Sequence, residues 1–559
     1  MFKKSMLIVA AVAACLSGCS HSEQPKPGQA AIASADPLAT AAGMEVLDAG
    51  GNAFDAAVAV AASLGVVEPA SSGFGGGGFF LIFLSESDEY RFIDARETAP
   101  AASTRNMFLD EEGSPIRGAS MEGGLSAGIP GHPAGLVHLA ENYGRLPLGD
   151  SLQPAIRQAR EGFSITPRAI LGLRFRNKTL SQSAAFTEVF YPNGDVPAPG
   201  DLIVQEDLAR TIEKFAAEGR DGFYAGEIAE SLVESVRAAG GIWTLEDLAD
   251  YRVAEREPVI FEYGDMRIVS APPPSSGGIV LGQMMNFLSA YPLNELPEAQ
   301  RKHLMIEAMK LAYRDRAMYL GDPDFVEMPL DTLMSDAYMD EQRARFNVRQ
   351  ATPSSELPGI QPDTSEGTQT THFSVIDKDG NRVAATITIN TWYGAGFMAA
   401  GTGVILNNEM DDFSIKRGVP NEFGLIGDEA NSVAANKRPL SSMTPTFLET
   451  DEGVAVVGTP GGSRIITMVL QASLAWLNGA DAEEIVSAKR FHHQYSPDVV
   501  NYEPGALTDA EIAELESMGH KLSVSRRPYG NMNVVTWDYA TNEVRSVADP
   551  RGEGEGRVY

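Results

Sequence analysis

Apolar and polar positions divide this chain into segments of plainly different period. Asp36-Pro37 has the form of a helix N-cap followed by proline in the first turn, and the helix it opens should stop at Gly50-Gly51. From about Ala53 to Leu64 the next helical stretch is apolar nearly all round, which predicts burial on every side. Phe79 to Leu84 is continuously apolar and predicts a strand covered on both faces. The middle of the chain alternates loops with helical periods at about Leu208–Ala217, Ala225–Ala239 and Pro297–Leu320. There, Pro272-Pro273-Pro274-Ser275-Ser276-Gly277-Gly278 predicts a stiff loop between a strand, Met266–Ser270, and the helix that follows. Pro353 to Gln369 is polar and rich in breakers. Then the pattern changes abruptly: His372–Ile376 and Arg382–Ile389 are rich in Val, Ile and Thr, and Asp377-Lys378-Asp379-Gly380-Asn381 supplies the turn of a β-hairpin. Strands dominate beyond it, followed by a helix at about Ser463–Leu477. No internal repeat of fixed period is present. The pattern therefore predicts one α/β unit interrupted by a single breakable linker.

Composition narrows the function classes. Asp and Glu number 75 against 44 Lys and Arg, a formal net charge of -31. A nucleic-acid partner needs a basic footprint, and anionic lipid needs one too, so neither fits. A solvated acidic surface accounts for the charge. The first residues read as an export signal: Lys3 and Lys4, then an apolar run from Met6 to Leu16 too short for a comfortable membrane span. The run ends in Leu16-Ser17-Gly18-Cys19, which resembles a bacterial lipobox. That resemblance implies cleavage after residue 18, a lipid on Cys19, a flexible tether over 19–29 and, with Ser20 in second place, the outer membrane. The 2 cysteines, Cys15 and Cys19, both fall here, so the domain itself has neither disulfide nor thiolate chemistry. The 8 histidines form no spaced ligand set, and no metal or other cofactor is expected.

The junction at Thr370-Thr371-His372 is where chemistry suggests itself. A cut before Thr370 would leave a strand-borne N-terminus with a hydroxyl nucleophile and a free α-amine to act as its base. Against this stands the plain fact that Thr favours strands. Thr388 lies in the following strand, on the same face as Thr386, and invites the same plain explanation. Gly461-Gly462, ahead of the helix at Ser463, offers unobstructed backbone N–H groups at a helix start. Gly73-Phe74-Gly75-Gly76-Gly77-Gly78 satisfies G-x-G-x-x-G but precedes a strand instead of following one, which argues for close packing and against a dinucleotide site.

A set of blocks in fixed order decides between these readings: Gly50-Gly51-Asn52-Ala53-Phe54-Asp55-Ala56-Ala57, Gly75-Gly76-Gly77-Gly78-Phe79, Asp94-Ala95-Arg96-Glu97-Thr98-Ala99-Pro100, Thr370-Thr371-His372-Phe373-Ser374-Val375, Leu406-Asn407-Asn408-Glu409-Met410-Asp411-Asp412-Phe413, Arg438-Pro439-Leu440-Ser441-Ser442-Met443 and Pro460-Gly461-Gly462-Ser463-Arg464. With them the chain resembles the γ-glutamyltranspeptidases of the N-terminal-nucleophile hydrolases from about Gly28 to its end. The resemblance implies an αββα sandwich built jointly by a large subunit, 30–369, and a small one, 370–559, that pair after self-cleavage between Gln369 and Thr370. It implies Thr370 as nucleophile, Thr388 as its hydrogen-bond partner and Gly461-Gly462 as oxyanion hole. It also implies Arg96, Ser441 and Ser442 on the substrate α-carboxylate, and Glu409 and Asp412, assisted by Asn390, on the α-ammonium. Substrates would be glutathione and other γ-glutamyl compounds, with amino acids, peptides or water as acceptors. Lys416–Glu429 resembles a lid whose central Tyr is here Phe423; lacking a hydroxyl for Asn390, it should sit more loosely. Two alternatives stay open: a cephalosporin (glutaryl) acylase of the same fold, which would not need Asp412, and an exported solute-binding lipoprotein, which would leave the Thr370 junction unexplained.

Overall fold

The computed structural model describes residues 26–360 and 370–559; the expected export signal with Cys19, and Gln369 at the proposed junction, lie outside the described residues. The apolar run after Gly76 is a strand, Gly77–Leu84, and its surroundings explain why it lacks alternation. Phe80 and Ile82 pack into one hydrophobic cluster while Phe79, Leu81 and Phe83 pack into another, so successive side chains leave opposite faces and both faces are buried.

Numbered in chain order, the strands of the two main sheets are β1 (Ala31–Ser34), β2 (Gly77–Leu84), β3 (Glu89–Ala95), β4 (Ala254–Arg256), β5 (Val259–Tyr263), β6 (Met266–Ser270), β7 (Thr371–Ile376), β8 (Arg382–Thr388), β9 (Thr446–Glu449), β10 (Gly453–Val457), β11 (Asn533–Asp538), β12 (Val544–Ala548) and β13 (Glu555–Val558). The first sheet runs β13-β1-β7-β8-β2-β3-β4 and the second β12-β11-β10-β9-β6-β5. Helices α1 (Pro37–Asp48) and α2 (Ala53–Val67) cover the outer face of the first sheet. Helices α3 (Gly277–Ser289), α4 (Glu298–Tyr319) and α5 (Ile465–Leu477) cover the second. This is the four-layer αββα sandwich. As expected, Asp36 caps α1 by accepting from Leu38 N at 2.8 Å, and every residue of α2 is buried. Among the described residues no helix is long and apolar enough to cross a membrane.

The hairpin expected after the linker is β7–β8. Its register pairs Ile387 with Thr371 and Thr386 with His372, which sets Thr388 beside Thr370. Phe373 and Val375 face α2. His372 and Ser374 face the second sheet, where Ser374 Oγ lies 3.1 Å from Val456 O and 2.9 Å from Asn533 O. The His372 ring bonds Thr386 Oγ1 at 2.9 Å and Ser374 Oγ at 3.1 Å, and it fills the space where a side chain on Gly458 would stand. His372 is thus the pin between the sheets, two residues beyond Thr370.

Burial lowers the pKa of His372 to about 3. An unfolded histidine takes its proton near pH 6.5, so this residue contributes stability above pH 6.5 that is lost as pH falls toward 3. His372→Gln should remove that dependence: relative to the variant, the wild type should lose about 2 kcal/mol of unfolding free energy between pH 7.5 and 5. Parallel pH slopes for the two proteins in denaturant melts would eliminate His372 as the titrating group.

One grouping of histidines is invisible in the sequence. Although the sequence shows no spaced histidine set, the fold brings His303, Glu307 and His520 together, with candidate ligand atoms within 4.8 Å of one another. The residues are far apart in the chain, so no local spacing signals them. They form a hydrogen-bonded network with its own cation: His303 Nδ1 lies 2.7 Å from His520 Nε2, and Lys310 Nζ donates to Glu307 Oε1 at 3.1 Å.

Candidate active site

The end of β7 brings Thr370 to the rim of the gap between the sheets. Its Oγ1 lies 3.4 Å from Thr388 Oγ1, a long contact for two hydroxyls. Thr388 Oγ1 also accepts from Asn390 N at 2.8 Å, which fixes its orientation. Close strand packing makes this corner possible. A side chain on Gly76 would meet Thr388 O at 2.0 Å, and one on Gly75 would meet Ile405 O at 2.0 Å. The glycine run serves packing, as its position ahead of β2 implies.

Across from Thr370, Gly461 and Gly462 turn the chain from β10 into α5. Their φ values of 145° and 56° are open to glycine and costly for other residues. Neither amide N–H has a hydrogen-bond partner among the described residues. Paired, unengaged donors at a helix start can receive a developing oxyanion.

Arg96 follows the end of β3 and is 1 % exposed, so it is no surface ion pair. Its guanidinium bridges two carboxylates: Nη1 binds Glu409 Oε1, and Nη2 binds Asp412 Oδ2 at 2.6 Å. Glu409 and Asp412 occupy one short turn, Glu409–Asp412. Burial drives the Glu409 carboxyl well above the usual range, and Arg96 opposes that shift. The neighbouring Asp411 is buried too and rises to about 7, chiefly through desolvation, while Ser120 and Glu422 N hold its oxygens. Within this array, Arg96, Glu409 and Asp412 pair with one another. A zwitterion could exchange into that array, its carboxylate for Arg96 and its ammonium for the acids, without leaving a buried charge unpaired. Asn390 sits beside it, donating to Asn408 O at 2.9 Å.

A crevice of about 300 Å³ collects Thr370, Thr388, Arg96, Asn390, Glu409, Asp412, Phe423, Ser441, Ser442 and Gly462. Gly461 adjoins it through the same turn. A larger cleft of about 1520 Å³ lies between Tyr291 and Leu474, but no nucleophile with an adjacent base lines it, so the chemistry belongs to the smaller crevice. The family model for gamma-glutamyltranspeptidase matches residues 39–559. The chain belongs to the γ-glutamyltranspeptidase family. It is 45% identical over 529 residues to a glutathione hydrolase proenzyme of Pseudomonas sp. (strain A14), covering 93% of this chain and 92% of that one. It is 40% identical to the glutathione hydrolase proenzyme of Escherichia coli (strain K12), covering 98% and 99%. Among solved structures, a cephalosporin acylase from Bacillus halodurans superposes with a TM-score of 0.83 at 26% identity, covering 100% of this chain and 99% of its own. The Helicobacter pylori gamma-glutamyltranspeptidase chain superposes with a TM-score of 0.56 at 39% identity, covering 59% of this chain and 95% of its own.

The segment whose sequence resembles a lid, Lys416–Glu429, is fastened through groups other than an aromatic hydroxyl. Asn421 Nδ2 donates to Asp412 Oδ1 at 2.9 Å, Glu422 N to Asp411 Oδ2 at 2.8 Å, and Gln494 Nε2 to Phe423 O at 3.1 Å. The Phe423 ring lies over Gly462, where an added Cβ would meet it at 2.4 Å. This segment therefore covers the Gly461-Gly462 turn with an apolar ring.

Sequence reading missed several residues of this site. Arg316, Leu425, Met443 and Ile465 line the crevice. Glu97 is fully buried 3.8 Å from Arg96 Nη1, and neither of its carboxylate oxygens has a hydrogen-bond partner. Burial raises its pKa.

The Arg96 geometry carries a prediction. Two separate nitrogens reach two separate acids, a fork that an ammonium cannot reproduce. Arg96→Lys should raise KM for a γ-glutamyl substrate roughly tenfold or more despite conserving charge. An unchanged kcat/KM would remove Arg96 as the carboxylate anchor.

Proposed function

We propose that this protein is a self-cleaving γ-glutamyltransferase and glutathione hydrolase whose nucleophile is Thr370. The observation that carries the reading is the convergence on one crevice of Thr370, the unengaged Gly461-Gly462 amides and the Arg96–Glu409–Asp412 array. In the precursor, Thr370 Oγ1 attacks the Gln369 carbonyl. The peptide C–N bond gives way to an ester, and water hydrolyses it, leaving the Gln369 carboxylate and the free Thr370 amine. In the mature enzyme that amine takes the hydroxyl proton while Oγ1 bonds to the γ-carbonyl carbon of the donor. The C–N bond of the donor breaks and the proton leaves with the departing amine. Water or an amino-acid amine then attacks the γ-glutamyl ester and restores the hydroxyl.

The chain would part into a large subunit, 30–369, and a small one, 370–559. Partial coverage by the Helicobacter pylori chain supports this division, since nearly all of that chain matches only 59% of this one. Thr370 itself has a φ of 150°, a conformation that non-glycine residues avoid and that release of its amine would relax. Ser441, Ser442 and Arg96 would hold the α-carboxylate; Glu409, Asp412 and Asn390 would hold the α-ammonium. Export with a lipid on Cys19, on the periplasmic face of the outer membrane, completes the proposal. Labelled fatty acid should be incorporated by the wild type and lost in Cys19→Ser; equal labelling would refute the anchor.

The direct test of function is assay of purified protein with glutathione, with and without an amino-acid acceptor. Release of glutamate alone, and of a γ-glutamyl amino acid when acceptor is present, is expected. No turnover of glutathione by fully cleaved protein would overturn the reading.

A further inference from the structure

Arg316 is the unexplained charge of the crevice. It projects from α4 and is 5 % exposed, yet no carboxylate lies within ion-pairing distance of it among the described residues. A buried, unpaired guanidinium is expensive and needs a reason. Its hydrogen bonds are both to serine hydroxyls. Nε donates to Ser276 Oγ at 3.0 Å and Nη2 to Ser442 Oγ at 3.2 Å.

The stiff loop at Pro272–Gly278 turns out to be the other half of this support. Ser441 N donates to Pro274 O at 2.8 Å, Ser276 N and Oγ both donate to Ser441 O, and Ser275 Oγ donates to Met443 O at 2.6 Å. The loop and Arg316 thus grip the Ser441–Met443 strand from behind. The direction of the bonds matters. Ser442 Oγ accepts from Arg316, and Ser441 Oγ accepts from Met443 N at 3.1 Å, while neither hydroxyl proton has an acceptor among the described residues. A hydroxyl offers one proton and accepts through its lone pairs. With the rear acceptor position filled, each proton is free to point into the crevice that Arg96 also lines.

We infer that Arg316 is a positioning residue for donor specificity: acting through Ser442, it holds a hydroxyl proton and a positive field against the donor's α-carboxylate, and so selects γ-acyl donors that carry one. This rests on the γ-glutamyl reading above. It makes Arg316 distinct from Arg96. Arg96 is directly engaged by two acids, whereas Arg316 has no carboxylate in direct contact among the described residues and feels Asp412 only at longer range. A donor's α-carboxylate would give Arg316 the direct carboxylate partner it lacks among the described residues.

Three p-nitroanilides separate the possibilities: γ-glutamyl, glutaryl (no α-ammonium) and 4-aminobutyryl (no α-carboxylate). Arg316→Met should process into two fragments on a denaturing gel. It should lose roughly tenfold or more in kcat/KM on the two carboxylate-bearing anilides, mainly through KM, and less than about twofold on the 4-aminobutyryl one. Ser442→Ala should show the same pattern, and the double variant should be little worse than either single one, because both act on one contact. Equal loss on all three anilides, no loss at all, or additive losses in the double variant would overturn the inference. Should Arg316→Met fail to process, Arg316→Lys replaces it: selective loss on the carboxylate-bearing pair supports the role and uniform loss overturns it. Wild-type protein that is cleaved but inert toward the γ-glutamyl anilide would instead overturn the donor assignment itself, which keeps the two failures distinct.

Discussion

Thr370→Ala should remain one uncut chain and should turn over no γ-glutamyl substrate. The two losses have one cause. Thr370 immediately precedes the central hairpin strand β7, and its hydroxyl faces Thr388 across the strand pair. The same oxygen is asked to break the Gln369–Thr370 bond and later to carry the acyl group, so removing it stops both. Deleting a sole nucleophile typically costs on the order of 10⁶ in kcat, which here means activity at background. Thr370→Ser keeps the hydroxyl and, once cut, the amine. It should still cleave, more slowly, because the methyl that restricts χ1 is gone. N-terminal sequencing of the small fragment gives the decisive readout: it should begin Thr370-Thr371-His372. A fragment beginning elsewhere, or a Thr370→Ala chain that still splits, would sink the assignment.

How far the sequence reaches depends on whether a signal is local. The β7–β8 hairpin was legible because its turn residues and β-branched runs sit side by side, and the helix cap at Asp36 because it needs only two adjacent residues. Burial of β2 was legible because a sandwich covers both faces of a strand and so erases alternation. Arg96 could be suspected, but its burial could not: the acids that neutralise it lie 313 and 316 positions further along the chain. Arg316 left no trace at all. The sequence shows only a helical period there, and α4 is buried nearly all round from His303 to Ala317, so no polar stripe distinguishes site from surface. The loop at Pro272–Gly278 was seen as rigid without a purpose, since its partner, Ser441–Met443, comes from another part of the fold. His303 and His520 meet for the same non-local reason. The family resemblance supplied roles where periodicity supplied only positions, and it supplied none for Arg316.

Asp412→Asn should separate a transpeptidase from a glutaryl acylase. The question is sharp because the fold does not settle it: a cephalosporin acylase superposes over the whole chain. Asp412 accepts on both oxygens, from Arg96 Nη2 at 2.6 Å and from Asn421 Nδ2 at 2.9 Å; an amide has the same shape but accepts through one oxygen only, so one of these two contacts is lost whichever donor substrate is bound. What separates the donors is charge. A γ-glutamyl donor brings an α-ammonium into a site where Glu409, pushed by burial toward its neutral form, compensates poorly by itself. Losing the Asp412 charge should therefore cost that donor about 2–5 kcal/mol of transition-state binding, the usual penalty for orphaning a desolvated charge. A glutaryl donor has no ammonium. It should lose little or gain, because Arg96 is left with one competing acid fewer. Self-cleavage should proceed, since the Gln369–Thr370 bond is broken without any α-ammonium to hold. The measurement is the ratio of kcat/KM for γ-glutamyl and glutaryl anilides in fully cleaved wild type and variant. The ratio should fall by a factor of about thirty or more. Equal losses on both anilides would assign Asp412 to holding Arg96 and Asn421 in place, and the discrimination between the two donor classes would then have to reside in Glu409 and Asn390.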